Sequence, residues 1–301
     1  MAGYEDTLAN LAERDPRVVV VTAENRAAIR GLPARLGERF VDVGICEQTM
    51  IGMAAGMALR GRIPVCHALA TFLTLRAFEF IRTDVGIARL PVKLVGAVPG
   101  FLSEANGPTH QAIEDVALMR AIPNMQIVCP ADEAELVEAL PAMVESGEPC
   151  YMRFVASKPA VEHRAPFELG RAEVLAEGGD VSLLTYGFLL REAEDARRRL
   201  EQKGVRTRLI NMRTLRPVDA RTVLRAATET KLLVTLEDHL LVGGLHSIVC
   251  ELLVASGVRV PVIPIALEER WFKPARLDDV LAYERFDGAS IAERVLHAMR
   301  S

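Results

Sequence analysis

Several common carriers of chemistry are missing from this 301-residue sequence. No Gly-x-Gly-x-x-Gly follows a strand-like run, so nothing marks a dinucleotide fingerprint. There is also no Gly-x-x-x-x-Gly-Lys-Ser/Thr phosphate loop and no Gly-x-Ser-x-Gly nucleophile elbow. The six histidines do not pair at metal-ligand spacing. His239 and His246 have a spacing that suits one helix face, but no cysteine or carboxylate completes a set. The five cysteines, at 46, 66, 129, 150 and 250, are odd in number and contain no Cys-x-x-Cys pair. They read as reduced thiols in a cytoplasmic protein. No apolar run approaches the ~18 residues a membrane span needs, and the opening stretch is acidic and amphipathic rather than secretory. Lys and Arg (36) nearly balance Asp and Glu (40), for a net charge of −4. Only Arg197–Arg199 cluster, so nothing favours nucleic acid or an anionic membrane as partner. Reactivity must therefore come from a bound cofactor or from a second chain.

What is present is an alternation of strand-length apolar runs with helix-period segments. Strands are expected at 17–24, 39–44, 63–70, 91–98, 125–129 and 150–156. Between them lie helices at 47–60, 74–88, 111–121 and 132–146, and a glycine- and proline-marked loop at 99–109. A second set follows, with strands at 181–187, 205–211, 231–237 and 258–265 and helices at 188–203, 218–229, 244–256 and 289–300. Continuous hydrophobic strands separated by helices predict parallel sheets covered on both faces. The expected fold is α/β, with two successive doubly wound domains: a mainly parallel-sheet domain at 1–160, a linker at 161–172 and a smaller α/β domain at 173–301.

One acid stands out. Glu47 opens a helix of small and flexible residues, Gly-Met-Ala-Ala-Gly-Met, directly after a short strand. The bland reading is an acid favoured by the positive end of the helix dipole. The sharper reading is a reagent held in a dry pocket.

The stretches Arg39-Phe-Val-Asp-Val-Gly-Ile-Cys-Glu-Gln-Thr, Ala70-Thr-Phe-Leu-Thr-Leu-Arg-Ala-Phe and Gly107-Pro-Thr-His-Gln-Ala-Ile-Glu-Asp resemble the pyrimidine-binding domain of transketolases and deoxyxylulose-phosphate synthases. The second half, with Leu236-Glu-Asp-His-Leu-Leu-Val-Gly-Gly-Leu-His, resembles the transketolase C-terminal domain. The likeness covers about residues 15–260, and the last ~40 residues match poorly. It implies thiamine diphosphate as cofactor, held through Mg²⁺ by a Gly-Asp-Gly…Asn motif that this sequence lacks. The chain is thus expected to be the C-terminal component of a split transketolase. A separate diphosphate-binding subunit would supply the Mg²⁺ ligands, with no metal ligand here, and two copies of each chain would assemble as α2β2 around small-molecule substrates.

The resemblance also implies roles. Glu47 would engage the cofactor's aminopyrimidine ring, since a carboxylic group desolvated among apolar neighbours can hold or share a proton. Phe72 and Phe78 would wall the pyrimidine pocket, although both read equally as core aromatics. His110 would exchange protons with substrate hydroxyls, with a loop-tying histidine as the alternative. Gln111 and Glu114 read as helix-start residues.

Departures from the family pattern fall where phosphorylated sugars would be recognised. Val98 stands where a histidine is common, Asn106 where an acid is common, and Leu75 where some members have an aromatic. Ala156 replaces a phosphate-clamping arginine. Arg153, Lys158 and Asn106 are the remaining substrate candidates, and Lys158 is a poorer bidentate clamp than a guanidinium. The acceptor is thus expected to be unphosphorylated or bulkier. Rival readings are a β subunit of a 2-oxo acid dehydrogenase-type decarboxylase, a non-catalytic regulatory or scaffolding subunit, and a plain small-molecule binding protein.

Overall fold

Alternate valines of the first strand feed two different cores. In the computed structural model, which describes residues 3–300, Val18 and Val20 of β1 (Val18–Thr22) pack with the helices Tyr4–Arg14 and Glu133–Glu145. Val19 and Val21 pack on the opposite face with Met50, Ile51 and Ala54 of the helix Glu47–Leu59. Side chains alternate across a strand, so a strand buried on both faces must be apolar throughout.

Six further strands make up the sheet of β1: β2 (Phe40–Asp42), β3 (Ile63–Leu69), β4 (Lys93–Ala97), β5 (Gln126–Val128), β6 (Cys150–Phe154) and, from later in the chain, β10 (Thr214–Arg216). The second sheet contains β7 (Glu173–Ala176), β8 (Val181–Thr185), β9 (Thr207–Asn211), β11 (Leu232–Leu240) and β12 (Val262–Leu267). The strand orders are β10-β5-β6-β4-β3-β1-β2 and β12-β11-β8-β9-β7. All pairings are parallel except β10 with β5 and β7 with β9, each at a sheet edge. The fold is therefore two α/β units with mainly parallel sheets, of seven and five strands.

The two units are sewn together. Strand β10 follows β9 of the second sheet but pairs with β5 of the first, where the Cys129 N–H donates to Arg213 O at 2.8 Å. Arg216 Nη1 donates to the carbonyls of Arg120 and Ile122. One apolar core runs from Met50 and Ile81 to Tyr186, Met212 and Leu245.

Several elements differ from the expectation. Strands β7 and β10 and the helix Leu277–Glu284 are additional. The helix expected over 111–121 spans only Asp115–Arg120. The backbone before it is committed to tertiary bonds: Ala112 O accepts from Gly100 N, and Ile113 O accepts from Leu240 N. The segment expected as helix 74–88 is helical over 72–86 but contains two π-helical stretches, Phe72–Arg76 and Ile81–Gly86. Each contains a threonine whose hydroxyl donates to the carbonyl four residues earlier, Thr74 to Ala70 and Thr83 to Glu79. Such back-bonding competes with the backbone ladder and loosens it.

A charged knot fixes the segment joining the two sheets. His163, in that segment, bonds Glu173 of β7 at 2.7 Å and Asp132 at 2.9 Å. Asp132 caps the helix Glu133–Glu145 by accepting from Glu135 N. Arg213 pairs with Glu173 at 2.7 Å and lies 2.5 Å from a Glu135 oxygen, in an ion pair bent away from hydrogen-bond geometry. Glu135, His163 and Glu173 lie close enough together to suggest a metal cluster, but Arg213 and the protonated His163 already supply two positive charges to the two carboxylates.

Burial disfavours the charged form of His163, but its carboxylate partners outweigh this and push its pKa up to about 10. Burial likewise opposes charge on Glu173, yet hydrogen bonds from His163 and the Arg164 N–H, with the Arg213 charge, bring it down to about 2. A raised histidine stabilises fully below its unfolded value of ~6.5 and less as pH climbs. A lowered glutamate stabilises above its unfolded value of ~4.3 and less as pH falls. The knot should therefore hold best between those two values and weaken towards pH 10 and towards pH 2. Thermal unfolding of the wild type and His163→Gln across pH should show a shallower alkaline decline in the variant. Parallel alkaline limbs would refute this assignment.

Candidate active site

The carboxyl ends of β1 to β4 open onto one edge of the first sheet. Chain order reverses there, with β2 and β3 lying on either side of β1. Such a switch point leaves a crevice above the strand ends. Three connections enter it: the turn after β2 that leads to Glu47, the turn after β3 that leads to Phe72, and the loop after β4 that carries His110.

Glu47 is only 2% exposed, in the first turn of its helix. Its Oε2 accepts from Arg76 Nη1 at 2.8 Å, while its Oε1 carries no hydrogen bond among the described residues. The Arg76 guanidinium lies 4.3 Å from the centre of the Phe72 ring. The Phe72 ring in turn meets the His110 imidazole edge-on, with centroids 5.1 Å apart. His110 Nδ1 bonds Thr109 Oγ1 at 2.9 Å. Glu47, Phe72 and His110 thus form a chain of contacts in which Arg76 is the link. The expectation that Glu47 has purely apolar neighbours is corrected on this point, since a guanidinium partly open to solvent faces it. Arg76 went unassigned in the sequence, although it lies four residues after Phe72, a spacing that brings side chains together on a helical segment.

The loop carrying His110 is pinned at its base. Gly100 N donates to Ala112 O at 3.0 Å and closes the loop's ends together. Phe101 N donates to Asp238 Oδ2 at 3.3 Å. Asp238 also accepts from Arg153 Nη1 at 2.6 Å, and Arg153 Nε donates to Asp115 Oδ2 at 2.9 Å. Tyr151 donates to the same Asp115 oxygen at 2.6 Å, and Arg153 lies over the Tyr186 ring at 5.3 Å. Burial opposes the charge on Arg153, but the two carboxylates outweigh it and raise its pKa. Nearby, burial pushes Glu237 up to about 7, even though it accepts the N–H groups of His246 and Leu245 at a helix start.

Positive φ angles gather in this loop, at Val98 (59°), Gly100 (54°), Glu104 (47°) and Gly107 (85°). Val98 is β-branched and pays a steric cost there. At Gly100 a Cβ would lie 1.8 Å from Asp238 Oδ2, so only glycine fits.

The remaining candidates are less centrally placed. Phe78 is half-buried and packs against the first core, with no ring contact to Phe72 or His110 among the described residues. Asn106 and Lys158 are exposed, Asn106 on the His110 loop and Lys158 in the segment after β6. Arg153 is 2% exposed, with its guanidinium enclosed by Asp115 and Asp238. Gln111 precedes the shortened helix, and its Nε2 donates to Phe272 O at 2.8 Å. Glu114 caps that helix by position, without a side-chain cap bond. Burial raises its pKa. His67 is buried against the Tyr4 hydroxyl at 2.6 Å, and burial holds its pKa down at about 3, so it stays neutral.

Comparisons with known proteins place the chain in a family. The family model "Transketolase, pyrimidine binding domain" matches residues 1–160, and "Transketolase, C-terminal domain" matches residues 170–291. The second match extends into the tail that looked divergent in the sequence. A 1-deoxy-D-xylulose-5-phosphate synthase from Synechococcus sp. (strain JA-3-3Ab) is 37% identical over 97% of this chain and 46% of its own length. The chain thus spans about half of that relative. The 6-deoxy-6-sulfo-D-fructose transketolase subunit SqwH of Clostridium sp. (strain MSTE9) is 38% identical over 83% of this chain and 79% of its own. Among solved structures, one described as a split gene transketolase in an inactive beta4 tetramer superimposes with a TM-score of 0.88. It is 31% identical, and the match covers 99% of this chain and 96% of that one.

Replacing Gly100 by alanine tests the loop anchor. The variant should lose at least about 1 kcal/mol of stability from backbone strain alone, and amides 99–112 should exchange faster with deuterium. Unchanged exchange across that segment would show that Asp238 does not fix the loop.

Proposed function

Because this chain belongs to the transketolase family, we propose that it is the pyrimidine-binding and C-terminal component of a two-subunit, thiamine-diphosphate-dependent transferase. In this reading, residues 1–160 form the pyrimidine-binding domain, 161–172 the linker and 173–301 the C-terminal domain. The enzyme moves a two-carbon ketol unit from a ketose-like donor to an aldehyde acceptor. The observation that carries this reading is Glu47: a buried carboxylate with one unbonded oxygen, beside an aromatic face and an imidazole.

These residues suit the cofactor's pyrimidine. Glu47 Oε1 is available to share a proton with a ring nitrogen, and Phe72 offers a face for stacking. Phe78 supports the wall from the core side. When bound, thiamine diphosphate supplies a thiazolium carbon that becomes nucleophilic on losing a proton. In this reading His110, beside Phe72, exchanges protons with substrate hydroxyls, and Asn106 on the same loop offers hydrogen bonds to them. Arg76 shields Glu47 from solvent and sets its orientation.

The Mg²⁺ and diphosphate contacts are assigned to a separate diphosphate-binding subunit, in an α2β2 assembly that includes self-association of this chain. Support for a docked partner comes from the helix Glu47–Leu59. Its outer face presents Gly52, Met53, Gly56 and Leu59 to solvent, with Ile45 exposed just before it. Small residues there leave room for a close approach, and exposed apolar side chains mark interaction surfaces. A cytoplasmic setting suits five unpaired cysteines, and no helix of the described residues is long and apolar enough to cross a membrane.

The acceptor is proposed to lack a terminal phosphate. Arg153 is committed to Asp115 and Asp238, which leaves exposed Lys158 as a weak substitute, and the name of one relative specifies a sulfo sugar.

Reconstitution with the diphosphate-binding subunit tests the reading. Glu47→Gln should lower the rate by at least about 100-fold, the scale of lost proton-transfer catalysis, while the subunits still co-elute. Ketose donors should support turnover, and phosphorylated acceptors should bring no advantage over unphosphorylated ones. Full activity in Glu47→Gln, or turnover with 2-oxo acids alone, would overturn it.

A further inference from the structure

A cleft of about 860 Å³ lies on the second sheet's side of the molecule, between the helices Leu190–Gln202 and Gly288–Ala298 and the edge strand β12. It shares no residue with the Glu47 site. Five basic side chains line it, Arg199, Lys203, Arg285, Arg294 and Arg300, against a single carboxylate, Glu293. Such a concentration of positive charge is unexpected in a chain whose net charge is −4.

Two of these cations have local partners. Arg199 meets Asp195 at 2.8 Å and Arg285 meets Glu293 at 2.6 Å, and in both pairs each side chain is about half exposed or more. Exposed pairs of this kind contribute little and exchange readily for a stronger anion. Lys203 and Arg300 are exposed and make no ion pair among the described residues.

Arg294 is the informative one. It is half-buried, and its guanidinium has one hydrogen bond, from Nη2 to the Pro264 carbonyl at 3.2 Å. No carboxylate lies within ion-pair distance among the described residues. Burial and the neighbouring charge of Arg285 both act against its protonated form, while Glu268 favours it from farther off. A guanidinium held beside another, partly out of water and without a carboxylate, is a receptor for an anion. The floor of the cleft is apolar, with Ile263, Ala292 and Leu296, which a merely solvated basic face does not need. Its volume falls in the range of small-molecule sites.

We propose that this cleft binds a small organic phosphate carrying at least two phosphate groups, with Arg294 and Arg285 gripping the phosphates and the apolar floor taking the organic part. The site is independent of the transferase reading and needs neither cofactor nor partner subunit.

Calorimetric titration of the full chain in low-salt buffer, with inorganic pyrophosphate and with ATP as probes, tests it. Both should bind saturably at one site, ATP more tightly because it also covers the floor. The Arg285→Gln/Arg294→Gln double variant should bind at least about tenfold more weakly, a change of ~1.4 kcal/mol. Should circular dichroism show that this variant is misfolded, Lys203→Gln/Arg300→Gln, which alters exposed side chains only, should still weaken both probes. Absence of saturable binding by either probe, or unchanged affinity in a folded variant, would overturn the proposal.

Discussion

The structure depends most on one buried cation. Arg153 rises from β6 of the first sheet and holds Asp115, at the start of a helix over that sheet, and Asp238, on β11 of the second. Charges removed from water are costly, and such a pair is favourable only when its geometry and surrounding hydrogen bonds are good. Here the Tyr151 hydroxyl, the Phe101 N–H and the Tyr186 ring complete the set. The same cation therefore fixes the relation of the two sheets and, through Asp238, the base of the His110 loop. A residue that looked like a substrate ligand in the sequence is enclosed by the interface it organises.

The loop it anchors stores strain. Val98 and Glu104 adopt backbone angles that non-glycine residues rarely tolerate, and Gly100 meets Asp238 where no side chain fits. Unfavourable angles persist only where surrounding contacts over-determine them, and they gather at functional sites because they buy pre-organisation. The closed ends of this loop hold it where His110 meets the Phe72 ring. On the opposite wall, the π-helical turn Phe72–Arg76, where Thr74 bonds back to Ala70, carries both Phe72 and the Arg76 that reaches Glu47.

Much of this was legible in the sequence, and the reasons differ by element. The parallel strands were readable because burial on both faces forces unbroken apolar runs such as Val18–Val21. Glu47, Phe72 and His110 were nominated through resemblance; in the fold Arg76 joins Glu47 to Phe72, and Phe72 meets His110 directly. The helix at 111–121 was over-extended because local periodicity carries no information about Ala112 and Ile113 giving their carbonyls to distant amides. Strand β10 has three residues, too few for a pattern. Arg153 with Asp238, and Arg213 with Glu135, join positions far apart in the chain. The basic cleft draws its residues from several segments, none of which is rich in positive charge except Arg197–Arg199. Such pairings are properties of the fold, and no short window contains them.

Strand β10 also bears on how the molecule is made. Synthesis runs from the amino terminus, and β5 leaves the ribosome well before the residues that cover its open edge. Until Thr214–Arg216 emerge, the nascent first sheet exposes unpaired amides and carbonyls that another chain could claim. The first sheet is therefore complete only once a strand from the second half of the chain has been translated.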